Sequence, residues 1–404
     1  MQIRFKFTLF IALNLFISSA WSQSQCENPT VKIAGQEQVM FNYLKNRCNV
    51  KDTPDISPFA FIDKNNHVQM LIGINPAIYR SVGPTLDHLT RDCTAPVFTS
   101  NPNHDAPPET FYNKVWMATP WTTDGQTVYV LIHNEFHGWE MGHRYCPNLG
   151  KKHKSGDCWY PNIMMVKSTD GGKTYHLIER PDHPGYAQLV IGTPFRYDPK
   201  LNKPQGMATQ SNIISRNTQQ GTFYFMFAQA FPNHGIRNGG CIFRSKNIDD
   251  PTSWRGWDGN DFTVNMSKNA YFDAVHPRQN LCKPLFNNFS IVSWSYNTVL
   301  KKYLAIGMST QALVYVVSDD MIHWSQPTVL KTTPSLQEYS MSKPGSGVSR
   351  MTYPSVIDPT STGRNFEYSG EHPYLYYTRF YPKTSKRDWQ HRDMFRVPLE
   401  VSCS

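Results

Sequence analysis

The stretch Met164-Met165-Val166-Lys167-Ser168-Thr169-Asp170-Gly171-Gly172-Lys173-Thr174-Tyr175 decides the fold. It reads as an apolar strand ending in serine, then an acidic glycine turn, then an aromatic. In such a turn the Ser and Asp side chains accept backbone N–H groups, which fixes the reversal locally. Three other segments repeat the order. Ala77-Ile78-Tyr79-Arg80-Ser81 leads to Asp87, and Cys241-Ile242-Phe243-Arg244-Ser245 leads to Asp249 and Trp254. Val314-Tyr315-Val316-Val317-Ser318 leads to Asp320 and Trp324. The spacing is roughly 70 to 90 residues, and self-similarity at a long period marks a repeat architecture.

Working outward, two more strand-like runs precede each segment. They are Pro58–Ile62 and Val68–Ile74, Val115–Ala118 and Thr127–Ile132, Asn212–Ser215 and Thr222–Ala228, then Ser290–Ser295 and Tyr303–Met308. A fifth unit follows with Pro354–Ile357, Tyr374–Tyr381 and Met394–Val401. All are rich in β-branched and aromatic residues and end at Gly, Pro, Asn or Asp. Five units of about four antiparallel strands predict an all-β chain folded as a five-bladed β-propeller, a ring with no long exposed edge. A pair of β-sandwiches is the alternative, but it would not reproduce one strand–Ser–Asp–aromatic element four times.

Composition agrees. Aromatics make up 13%, prolines number 29 and charged residues are only 18%, which suits strands and turns better than helices or disorder. Arg4 and Lys6, the apolar run Phe7–Ile17 and the small residues from Ser18 to Ser22 read as a removable signal peptide over residues 1–22. That run is too short to span a bilayer. Residues 23–404 are then one propeller domain, secreted or periplasmic, with no membrane insertion. All eight cysteines follow the cut, so disulfides are expected. Cys146–Cys158 is the first choice, with Cys26–Cys403 and Cys241–Cys282 also plausible. No CxxC spacing suggests zinc. Net charge is +9, or +7 without Arg4 and Lys6. The basic residues are scattered, which excludes a nucleic-acid footprint.

The run Ser168 to Tyr175 resembles the Asp-box of sialidases and related propellers (S-x-D-x-G-x-T-W), with Tyr175 in the place of Trp. Ser318-Asp319-Asp320-Met321-Ile322-His323-Trp324 is similar to the shorter form of the five-bladed arabinanase, β-xylosidase and levansucrase-like glycosidases. That resemblance implies boxes on the face opposite the active site. It also implies an Asp near the start of the first blade as base or nucleophile, which here is Asp55. The family's further acids start other blades. At those places this chain has Gln210-Ser211-Asn212, Leu285-Phe286 and Tyr353-Pro354.

Ligands of a propeller bind at the channel mouth, among inner-strand starts and the loops after second strands. The segment His133-Asn134-Glu135-Phe136-His137-Gly138-Trp139-Glu140 holds that place in the second blade. If the strand continues through it, His133, Glu135 and His137 project to one side. A carboxylate between imidazoles can serve as a general acid, and the same trio could instead ligate a divalent metal. Ordinary strand-end hydrogen bonding would explain it too. Asp105, His234, Arg237, Arg379 and Tyr381 sit at equivalent mouths. Trp139, Tyr353 and Tyr381 could stack on a sugar, and arginines would suit an acidic one. The expectation is a monomeric glycoside hydrolase-like protein without cofactor, with Glu135 as acid, Asp55 as base or nucleophile and Asp105 orienting. A non-catalytic carbohydrate- or surface-binding propeller and a metal-dependent hydrolase are the alternatives.

Overall fold

The computed structural model describes residues 26–74, 76–100, 106–149, 156–201, 203–231, 238–276, 279–287, 289–342, 346–382 and 390–404. The expected signal peptide and the site candidates Asp105, His234 and Arg237 lie outside the described residues.

Five sheets of four or more strands, antiparallel except for the pairing of Ser290–Asn297 with Tyr368–Ser369, follow one another along the chain. The first holds Phe59–Ile62, Val68–Leu71, Arg80–Gly83 and Thr90–Asp92; the second is built on Lys114–Trp121, Val128–His137 and Trp159–Ser168. The third carries Ile214–Thr218, Gly221–Ala230, Gly239–Ser245 and Arg255–Trp257. The fourth contains Ser290–Asn297, Lys302–Met308, Ala312–Ser318 and Thr328–Thr332. The fifth contains Arg350–Ile357, Tyr374–Phe380 and Arg392–Cys403, and the early strands Pro29–Ile33 and Gln38–Phe41 both pair with its last strand.

Apolar side chains from facing sheets join these units into a ring. Phe61 and Leu71 of the first sheet pack with Val115 and Val130 of the second. Ile163 and Met165 meet Met226 and Phe243 of the third, and Phe227 meets Trp294 and Val316 of the fourth. Leu304 and Ile306 then meet Leu375 and Val397 of the fifth. Finally Ile357 and Tyr376 meet Ala60 and Met70 of the first, which closes the circle. Five sheets with five cores between them make a five-bladed β-propeller.

Two Asp-box turns are fully formed. Asp170 accepts the backbone N–H groups of Lys173 and Thr174 at 3.0 Å each, and Ser168 Oγ accepts that of Gly172. Asp320 accepts those of Ile322 and His323, and Ser318 Oγ that of Met321. Both turns follow a third strand, so both lie on one face. The other two repeats differ. Asp87 pairs with Arg396, and Asp249 with Lys167 of the neighbouring blade; in the third blade Asp250 caps Thr252 instead.

The run read as Val68–Ile74 is broken. Gly73–Ile74 leaves the first sheet and pairs with Trp116 and Met117 of the second. A Cβ on Gly73 would sit 2.8 Å from Ile78 Cγ2, so a larger residue at the crossing would have to displace the Ile78 side chain. Cys146–Cys158, Cys26–Cys403 and Cys241–Cys282 are all bonded, and Cys48–Cys93 is the fourth disulfide. Among the described residues no helix is long and apolar enough to cross a membrane.

Candidate active site

In an antiparallel meander the start of the first strand, the end of the second and the start of the third share one end. In the second blade these are Lys114, His137 and Trp159. They line a cavity of about 390 Å³ together with Asp55, Tyr353 and Arg392. His133, Glu135, Glu140, Trp116 and Trp139 also line it. The Asp-box turns lie at the opposite end of the blades.

The second strand runs unbroken through His137, so pleating places His133, Glu135 and His137 on one side. Register sets Glu135 opposite Lys114, and His133 opposite Trp116. His137 Nε2 lies 2.5 Å from Glu135 Oε2, and its Nδ1 lies 3.2 Å from Glu140 Oε1. Lys114 Nζ meets the same Glu140 oxygen at 2.6 Å. The result is a chain of alternating charge, Lys114–Glu140–His137–Glu135. Trp139 stacks on the His137 ring with centroids 4.1 Å apart.

The electrostatics follow from this chain. Burial pushes the Glu135 carboxyl up, but the hydrogen bond from His137 and the fields of both imidazoles outweigh it and hold it below 4.5. Burial lowers His137, yet its bonds to Glu135 and Glu140 raise it above 6.5. Burial pulls His133 below its ordinary value, against the field of Glu135. Among the described residues His133 Nε2 is buried with no hydrogen-bond partner, and it sits 3.6 Å from Glu135 Oε1. An unpaired polar atom facing a cavity is a place for a ligand hydroxyl.

Asp55 enters from the segment before the first blade. Its Oδ2 accepts the indole N–H of Trp116 at 3.0 Å, and its Oδ1 pairs with the Arg392 guanidinium. Burial pushes Arg392 down to about 9. Tyr353 stands at an irregularity of the fifth blade's inner strand with φ of 54°. A left-handed tyrosine is strained, and such strain gathers where side chains must be aimed. Burial and the Glu135 charge both raise its phenol.

Six expected residues therefore meet in one cavity: Asp55, His133, Glu135, His137, Trp139 and Tyr353. Arg379 does not join them. Its guanidinium lies over the Phe395 ring and pairs with Glu37, a residue of the segment that closes the ring. Tyr381 is turned instead to Asp393, to which its hydroxyl donates at 3.1 Å. Arg379 is taken by a partner 342 residues away, so nothing near it in the chain announces that pairing. Trp116, Trp159, Lys114 and Arg392 were missed. Trp116 was legible, since it faces His133 across two strands that were both read; Arg392 was not.

Among the described residues no group of three or more His, Cys, Asp or Glu is arranged to hold a metal ion.

No family model and no curated protein matches this sequence. Solved structures that it resembles include a glycosyl hydrolase from Bacteroides ovatus, at 11% identity and a TM-score of 0.45, covering 89% of this chain and 93% of that one. A family 117 glycoside hydrolase produced by the marine bacterium Zobellia galactanivorans is similar at 9% identity and a TM-score of 0.45, with 91% of each chain covered. A GH62 hydrolase in complex with xylotriose is similar at 9% identity and a TM-score of 0.44, covering 89% and 95%.

Proposed function

We propose that this protein is an exported, monomeric glycan-active propeller that hydrolyses a glycosidic bond in the cavity of Asp55 and Glu135. One observation carries the reading: Asp55, from the segment before the first blade, and Glu135, from the second blade, line a single aromatic-walled cavity at the channel mouth. Glycoside hydrolysis needs such a pair. Asp55, paired with Arg392 and oriented by Trp116, is the base or nucleophile. The acid is the Glu135–His137 pair, with its proton resting on His137 and reaching the leaving oxygen through Glu135. Trp139, Trp116 and Trp159 offer ring faces to sugar C–H bonds, and His133 Nε2 offers a hydrogen bond to a hydroxyl. Arg392 and Lys114 already face carboxylates, which favours an uncharged sugar over an acidic one. Four disulfides suit an oxidising compartment outside the cytoplasm.

A non-catalytic sugar-binding role has one observation in its favour: Asp55, Glu135 and Glu140 are each matched by a built-in cation. Turnover separates the two readings. On a panel of chromogenic glycosides the wild type should release aglycone, and Asp55→Asn and Glu135→Gln should each lose about 10²–10⁴-fold in rate. Full activity in both variants overturns the hydrolase. Glycan-array binding without turnover gives the role to the binding protein.

A further inference from the structure

We propose that the fourth blade carries a second carbohydrate subsite, on the same face as the Asp55–Glu135 cavity, which binds an uncharged sugar unit of an extended glycan. The inference rests on the glycan reading above and names its substrate class: a chain of several sugars, not a single terminal unit.

The observation behind it is a recess of about 470 Å³ lined by Gln229, Ser290, Met308, Ser309, Leu336 and Gln337, among others. Its place follows from topology. Ser290 opens the inner strand of the fourth blade and Met308 ends the second strand. Lys114 and His137 hold the same two positions in the second blade. The recess and the catalytic cavity therefore open on one face. They also share a wall, because the backbone N–H of Tyr353 donates to Met308 Sδ at 3.3 Å. Tyr353 lines the first cavity and Met308 the second.

The two sites differ in chemistry. The catalytic cavity is built from charged pairs, whereas the recess presents amides and hydroxyls beside apolar surface. Gln229 is pre-set, since its Nε2 donates to Asn238 Oδ1 at 2.8 Å and its Oε1 accepts from Ser290 Oγ. The one cation at the wall, Arg350, donates to the carbonyls of Thr310 and Pro334, and burial holds its guanidinium below its ordinary range. Its Nη1 is thus turned to the chain's own carbonyls. Leu336 stands 59% exposed at the rim, on a short helix fixed by a reciprocal capping box between Ser335 and Glu338. An exposed aliphatic side chain beside planar amides is a surface that a sugar ring can use, with its C–H face on the leucine and its hydroxyls on the amides.

The test uses a ladder of uncharged linear oligosaccharides of about two to six units, built from whichever sugar the wild type binds on a glycan array. Calorimetry and kcat/KM are measured for each length. Ser309→Trp fills the recess, and Leu336→Ala strips its rim without touching the catalytic cavity. In the wild type, affinity should rise about tenfold or more along the ladder, equivalent to about 1.4 kcal/mol. Ser309→Trp should abolish that rise and leave the shortest member unchanged, and Leu336→Ala should reduce it about threefold. A wild type with no length dependence overturns the subsite while leaving the hydrolase intact. The same holds if the ladder is unaffected in both variants. A wild type that binds no glycan at all overturns the cavity reading and the subsite together. Retained activity on the shortest member shows that each variant is folded, and Leu336→Ala decides the matter if Ser309→Trp does not fold.

Discussion

Glu135 and His137 share a contact of 2.5 Å inside a largely buried wall, so each fixes the charge of the other. The consequence for stability can be worked out from the two directions. Glu135 is held below 4.5, so its contribution is present above that pH and lost as pH falls through its lowered value. His137 is held above 6.5, so its contribution is present below that pH and lost as pH rises through its raised value. The pair thus stabilises the fold fully between 4.5 and 6.5 and weakens on either side. Thermal midpoints of wild type and His137→Asn, measured from about pH 4 to pH 9, should differ most inside that window and converge above it. Curves that stay parallel to the alkaline end would show that His137 is not charged in the folded state. The same contact bears on catalysis: Glu135→Gln keeps the shape but cannot relay the proton, so turnover should fall while ligand binding persists.

Single turns can be removed without touching the chemistry, because the blades keep their two ends apart. Asp170 caps two backbone N–H groups and the Thr174 hydroxyl, which hold its carboxyl down to about 2 against the cost of burial. Asp170→Ala should cost about 1 kcal/mol, as losing a capping side chain does, with no change in kcat/KM. Reduced activity would mean that the two faces communicate. Cys146–Cys158 is a contrasting case. Both sulfurs are buried in the core between the first two blades, and the Cys158 carbonyl accepts the N–H of Gly138, next to Trp139. Replacing both by serine should cost about 3 kcal/mol and also weaken sugar binding, a pairing that Asp170→Ala would not show. The difference between the turns and the pocket explains what the chain discloses. Ser168 and Asp170 act within four residues of each other, so the blade pattern could be read directly. So could the alternation that brings His133, Glu135 and His137 to one side. Asp55 with Arg392, and Arg379 with Glu37, are partners more than 300 residues apart, and nothing local encodes such pairs. The crossing at Gly73 was not legible either, because Val68–Ile74 reads as one strand.

The ring as a whole is closed by pairing of the early strands with the last one. Pro29 to Ile33 pair with Cys403 to Leu399, and Gln38 and Val39 pair with Arg396 and Phe395 on the same long strand. Glu37 adds contacts to Arg379, Lys331 and Tyr377, so it spans the fourth and fifth blades. Cys26–Cys403 is a staple laid over this pairing, with 377 residues between its ends. In the chain-entropy account a loop that long contributes about 6 kcal/mol, by limiting the unfolded chain. Closure itself is carried by the strands, since they cover the edge of the last strand and seal the core between fourth and fifth blades. The two contributions separate by mutation. Cys26→Ser with Cys403→Ser should lower the midpoint of unfolding but keep one cooperative transition and unchanged glycan affinity. Removing residues 26–41 should instead expose the edge, uncouple the fifth blade and displace Arg392 from Asp55, so binding fails and the protein self-associates. Light scattering and calorimetry on the two variants would check this. A truncated chain that stays monomeric with an undiminished midpoint would show that the remaining strands close the ring by themselves.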